Sequence, residues 1–96
     1  MDKETFKSEL AKIVGISKEF GAKKVLLFGS CIEDIESAHD IDIAVSGIEP
    51  KDFFKFYGKD SMALKDEVDI VDLDDAREHI YKRILSKGKI IYKKYE

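Results

Sequence analysis

Apolar and polar positions along this chain follow two rhythms. Over residues 4–20, Phe6, Leu10, Ile13, Val14, Ile16 and Phe20 recur at helical intervals, marking one face of a 3.6-residue period. The spacing predicts an amphipathic helix with Asp2 or Thr5 as its N-cap and Gly21 as its stop. Two short apolar runs come next, 24–28 broken by Gly29 and about 41–45 closed by Ser46-Gly47, and both predict strands. Pro50 stands where a helix can begin, because the first turn leaves its N–H groups unpaired and proline has none to lose. Phe53, Phe54, Tyr57, Met62 and Leu64 carry that helix onward, with Gly58 weakening it.

EVDIVDL, at 67–73, is apolar on both faces of a strand, which predicts a central place in a sheet. Asp74 or Asp75 can then cap a helix over 76–88, with Ile80, Ile84 and Leu85 as its stripe and Lys87-Gly88 as its end. KIIYKK, at 89–94, reads as a final strand at an edge, since lysines flank it. The order is helix, strand, turn or short helix, strand, helix, strand, helix, strand. Such alternation predicts an α/β (α+β) layer, a small sheet of about four strands with helices packed on it.

Composition narrows this further. The chain has 96 residues, 44% hydrophobic and 39% charged, enough for one core, so 1–96 reads as a single domain. No apolar stretch approaches the roughly 18–20 residues of a membrane span, and MDKETFKSEL is charged where a signal peptide is apolar. A cytoplasmic protein with no membrane contact is the expectation. The one cysteine, Cys31, excludes an internal disulfide and reads as a buried or half-buried thiol.

The net charge of -3 conceals an asymmetry. Residues 33–75 carry fourteen acidic and four basic side chains, whereas 82–96 carry six basic and one acidic. Phosphate backbones are bound by clustered Lys and Arg, so the acidic middle argues against direct nucleic-acid binding. A solvated acidic face and a divalent-cation site are the two readings it leaves.

Asp40 and Asp42 interrupt a core-like run two residues apart, so on a strand both leave one face while Ile41, Ile43 and Val45 enter the core. Neighbouring carboxylates repel unless one is protonated or a cation lies between them, and Mg²⁺ with its oxygen preference fills that role. With eleven Asp in the chain, the spacing alone occurs by chance. Position adds to it. Gly29-Ser30 follows a strand directly, where backbone N–H groups can cradle phosphate and a glycine admits close approach. Asp69 lies in another apolar run, where a buried carboxylate would need a partner or a metal. Strand-Gly-Ser, Asp-x-Asp and a third Asp together form a constellation suited to nucleotidyl transfer, in which metal-bound carboxylates neutralise the entering and leaving oxygens.

Three segments, LLFGS (26–30), HDIDIAV (39–45) and EVDIVDLDDA (67–76), together with IYKRILSKGKIIYKK (80–94), resemble a minimal nucleotidyltransferase of the polymerase-β-like superfamily, the antitoxin type that accompanies HEPN-domain toxins. The resemblance covers essentially the whole chain. It implies the polymerase-β palm fold with a mixed sheet, Gly29 and Ser30 on the triphosphate of ATP, Asp40 and Asp42 on Mg²⁺, two ions in all, and Asp69 as the third catalytic and metal-binding carboxylate. Family members usually continue Gly-Ser with Arg and a second Gly. Here the chain reads GSCIED, placing Cys31, Glu33 and Asp34 where cations would stand, with His39 before the first Asp in place of a small Ser.

The sequence leaves three readings: AMP transfer from ATP to a hydroxyl of a HEPN partner, an antitoxin that neutralises a HEPN ribonuclease by binding, and a stand-alone transferase on a small molecule. Homo-oligomerisation, the nucleotide and the acceptor stay open. His39 and His79 read more readily as structural than functional. Asp72 and Asp74 read as a polar turn or cap. Phe53, Phe54, Phe56 and Tyr57 wrap more of a helix than one core face requires, and part of that set can serve an interface.

Overall fold

The computed structural model describes residues 2–29 and 40–94. Helix α1 spans Lys3–Glu19, and Asp2 caps it by accepting the Thr5 N–H at 2.8 Å. Strands β1 (Lys24–Phe28) and β2 (Asp40–Ser46) pair antiparallel. Helix α2 (Pro50–Ala63) then crosses over to β3 (Glu67–Asp72), which lies parallel to β2. Helix α3 (Glu78–Lys87) leads into β4 (Lys89–Lys93), antiparallel to β1. The sheet order is β3-β2-β1-β4, so the sheet is mixed and four-stranded, as expected.

The strand period of two divides the sheet into unlike faces. Val25, Leu27, Ile41, Ile43, Val45, Val68 and Ile70 meet Phe6, Ile13, Ile16 and Phe56 in the main core, beneath α1 and α2. On the opposite face Leu26, Ala44 and Leu73 pack with Ile84 of α3, flanked by Phe28 and Val71. The half of that face nearer the start of β2 carries Asp40 and Asp42 instead of apolar side chains. This is how one strand can be a core strand and still present two carboxylates.

Three expectations are corrected. β3 lies at an edge of the sheet, not its centre. Its two-sided apolar content arises because Val68 and Ile70 face the main core while Val71 flanks the α3 cluster, with no strand needed beyond it. α3 begins at Glu78 after Arg77, with no side-chain cap. Asp74 is occupied elsewhere, accepting the Gly47 N–H at 2.8 Å, and Asp72 accepts the Asp74 N–H at 3.0 Å, so this pair forms the expected polar turn. Finally, of the expected α3 stripe Ile84 is buried while Ile80 and Leu85 are 39% and 41% exposed. On α2, Phe56 is the buried anchor, with Phe53 and Tyr57 packed beside the core, whereas Phe54 and Met62 stand in solvent.

Candidate active site

The backbone register builds the site. Paired residues on neighbouring strands project to the same side, and Asp42 is opposite Phe28 on β1 and opposite Asp69 on β3. Asp40, one repeat earlier on β2, shares that side. Three carboxylates are thereby gathered on the face not covered by α1 and α2. The Asp42 carboxyl stands on the strand position directly across from Asp69. Its pKa is pushed above the ordinary value, first by burial and then by the charges of Asp69 and Asp40.

Gly29 completes one wall. Its φ is +81°, and a Cβ there would run into the Asp42 carboxylate, with Cγ at 3.1 Å. Glycine is therefore required twice over, for the backbone conformation and for the space Asp42 occupies. Ser30, Cys31, Glu33, Asp34 and His39, singled out in the sequence, lie outside the described residues. His79 is exposed on α3.

Asp69 differs from its sequence reading in one respect. The run EVDIVDL suggests a buried carboxylate, yet Asp69 is exposed, because β3 is an edge strand and the α3 cluster lies farther along the sheet, over Ala44 and Leu73. The carboxylate needs no compensation for burial. Its register opposite Asp42 is the feature that sets it apart.

Carboxylate oxygens are the donors Mg²⁺ prefers. Among the described residues no three Asp, Glu, His or Cys side chains are grouped so as to hold a metal ion by themselves. Mg²⁺ takes one or two carboxylates and fills its octahedron with water and substrate phosphate oxygens, so an open face of acidic side chains suits it better than a cage does. The repulsion at Asp42 is of the kind that a bound cation relieves.

A cavity of about 350 Å³ adjoins the carboxylates, lined by Phe28, Gly29, Val71, Ile80, Arg83, Ile84 and Lys87. Sequence reasoning read Lys87 only as part of the helix end and missed this hollow. The signal was present: positions 80, 83, 84 and 87 follow i, i+3, i+4, i+7, one face of α3.

Comparison with known proteins places this arrangement. Residues 11–96 match the family model "Polymerase beta, Nucleotidyltransferase". The chain belongs to the polymerase-β nucleotidyltransferase family. No curated protein sequence matches it. Among solved structures, a toxin-antitoxin complex with AMP-PNP has a chain 26% identical, with a TM-score of 0.74 over 88% of this chain and 73% of that one. A complex of a tri-AMPylated HEPN toxin of Shewanella oneidensis with an MNT antitoxin gives 25% identity and a TM-score of 0.72, covering 92% of this chain and 72% of that one. A structure described as a minimal nucleotidyltransferase, 23% identical, superimposes with a TM-score of 0.75 over 92% of this chain and 94% of that one, a likeness of fold. The polymerase-β palm fold expected from the sequence is the fold observed, and the MNT antitoxins of HEPN toxins are among its structural neighbours.

Proposed function

We propose that this nucleotidyltransferase-family domain transfers AMP from ATP to a hydroxyl of a HEPN-domain partner, using Mg²⁺ held by Asp40, Asp42 and Asp69. The observation that carries the reading is the lateral pairing of Asp42 with Asp69, backed by a glycine that leaves the Asp42 carboxylate its space. Three carboxylates on one face of the sheet, beside a cavity that reaches Gly29, suit a reaction in which a phosphate must be held while charge moves across it.

In the reaction, the acceptor oxygen attacks the α-phosphorus, forming an O–P bond, and the bond to the β-phosphate oxygen breaks to release pyrophosphate. When bound, Mg²⁺ supplies Lewis-acid stabilisation of the oxygens that gain charge. Asp69, exposed at the sheet edge, is placed to receive the acceptor's proton, since its oxygens are open to an incoming hydroxyl. Asp40 and Asp42 orient the phosphates, and Gly29 with Ser30 lets the triphosphate approach the backbone. The neighbouring HEPN complexes support a toxin as the acceptor, one of those toxins being AMPylated.

The test is a mass measurement on a HEPN partner after incubation with the domain, ATP and Mg²⁺. An AMP adduct that disappears with Asp40→Ala and with Asp42→Ala supports transfer. Neutralisation of the partner that survives both substitutions, with no adduct, replaces this reading by inhibition through binding alone.

A further inference from the structure

The cavity under α3 has a composition that the carboxylates beside it do not explain. Phe28, Val71, Ile80 and Ile84 give it an apolar floor, while Arg83 and Lys87 bring two cations to its lining. At i and i+4 on one helix these like charges repel each other. Neither forms an ion pair with an acidic side chain among the described residues, although acidic side chains outnumber basic ones in the chain, 20 to 17. Lys82, one position from Arg83, is by contrast paired with Glu78 at 3.1 Å. Attraction to the helix C-terminus accounts for a cation at Lys87, in the last turn, and less well for Arg83 a turn earlier.

Two cations without an acidic partner among the described residues, beside an apolar floor, are suited to an anion. An apolar wall excludes water and strengthens each charge contact, and the long stems of Arg and Lys lie along such a wall while their heads reach the ligand. The cavity shares Gly29 with the carboxylate site, so an anion held here adjoins whatever Asp42 holds. Its volume of about 350 Å³ is at the lower end of the range of small-molecule sites. The sequence meanwhile carries Cys31, Glu33 and Asp34 after Gly29-Ser30 and so brings no cation there.

We infer that Arg83 and Lys87 bind the β- and γ-phosphates of the nucleotide, supplying from α3 the positive charge that the GSCIED segment does not. The inference rests on the nucleotidyl-transfer reading and deepens it. As pyrophosphate departs with the electron pair of the breaking P–O bond, the two cations neutralise the charge it gains. Arg can grip phosphate oxygens bidentately, whereas Lys acts as a point charge.

Calorimetric titration of the full chain with ATP, AMP and adenosine in Mg²⁺ tests this. Arg83→Gln and Lys87→Gln are each expected to weaken ATP binding roughly tenfold, the size of one charge-assisted hydrogen bond. AMP and adenosine binding should change less than about twofold, Arg83→Lys, which keeps the charge and loses the bidentate grip, should fall between wild type and Arg83→Gln, and Lys82→Gln on the same helix should bind as wild type. Wild-type ATP affinity in the Arg83→Gln, Lys87→Gln double variant overturns the inference and leaves the parent reading intact. Equal losses for ATP and AMP also overturn it, since the cations would then serve something other than the phosphate tail. Failure of the wild-type protein to bind ATP at all overturns both.

Discussion

The Asp42 carboxylate occupies the space in which a side chain at Gly29 would begin. Backbone conformation and site chemistry are thus fixed by one residue, since Gly29 also holds a φ of +81° at the end of β1.

Gly29→Ala should therefore destabilise the fold by about 1–3 kcal/mol through left-handed strain and displace Asp42 as well, lowering Tm and abolishing transfer together. Gly58→Ala is the contrasting substitution. Gly58 lies within α2 with open space around a built Cβ, so alanine there should stabilise by roughly 0.5–1 kcal/mol and leave transfer unchanged. Thermal melts of both variants check the opposite signs.

The carboxylate cluster should trade stability for function. Asp42→Asn removes the repulsion that Asp69 and Asp40 exert on position 42, and in metal-free buffer it should raise stability by up to about 1 kcal/mol, allowing for solvent screening. Mg²⁺ should raise the wild-type Tm and leave that of Asp42→Asn nearly unchanged, because a ligand that binds only the native state stabilises it. Scanning calorimetry with and without Mg²⁺ separates the two effects.

Asp60 gives the fold a pH dependence unrelated to the site. It is fully buried on α2, neither carboxyl oxygen has a hydrogen-bond partner among the described residues, and burial raises its pKa from 3.8 to about 7. Between those values the native state holds the proton more tightly than the unfolded chain does. Stability contributed by this group is thus complete at low pH, declines as pH rises from about 4 to 7, and levels off above that. The decline is on the order of 4 kcal/mol. Asp60→Asn, which cannot ionise, should gain on wild type from about pH 4 upward, so its advantage is larger at pH 8 than at pH 5. Denaturant melts at both pH values check this, and an equal gain at both would locate the effect outside ionisation.

The legible parts of this fold were those that local physics decides. The period of α1, the Asp2 cap, Pro50 at the start of α2 and the bounds of β1 follow from residue types within a few positions of one another. The shared face of Asp40 and Asp42 was legible for the same reason, since a strand period of two puts i and i+2 on one side, whereas the place of Asp69 beside them depends on the register of β3 against β2. Less legible was whatever depended on distant partners. The edge position of β3, and with it the exposure of Asp69, depends on which strand pairs with which. Asp74 resembles a cap for α3 in sequence, but the Gly47 N–H, 27 residues earlier, claims its carboxylate. Lys87 reads as helix-end charge until α3 packs Ile84 on Leu26 and Ala44 and brings it, with Arg83, to the lining of a hollow beside Gly29.

The central claim is that the three carboxylates and Gly29 form a site for nucleotidyl transfer. Its most direct test compares ATP labelled at the α-phosphate with ATP labelled at the γ-phosphate, each incubated with the domain, Mg²⁺ and a HEPN partner. The account predicts that α-label becomes covalently attached to the partner, that γ-label leaves as pyrophosphate, and that Asp42→Asn abolishes attachment. Attachment of γ-label, attachment that persists in Asp42→Asn, or neutralisation of the partner with no label attached would contradict it.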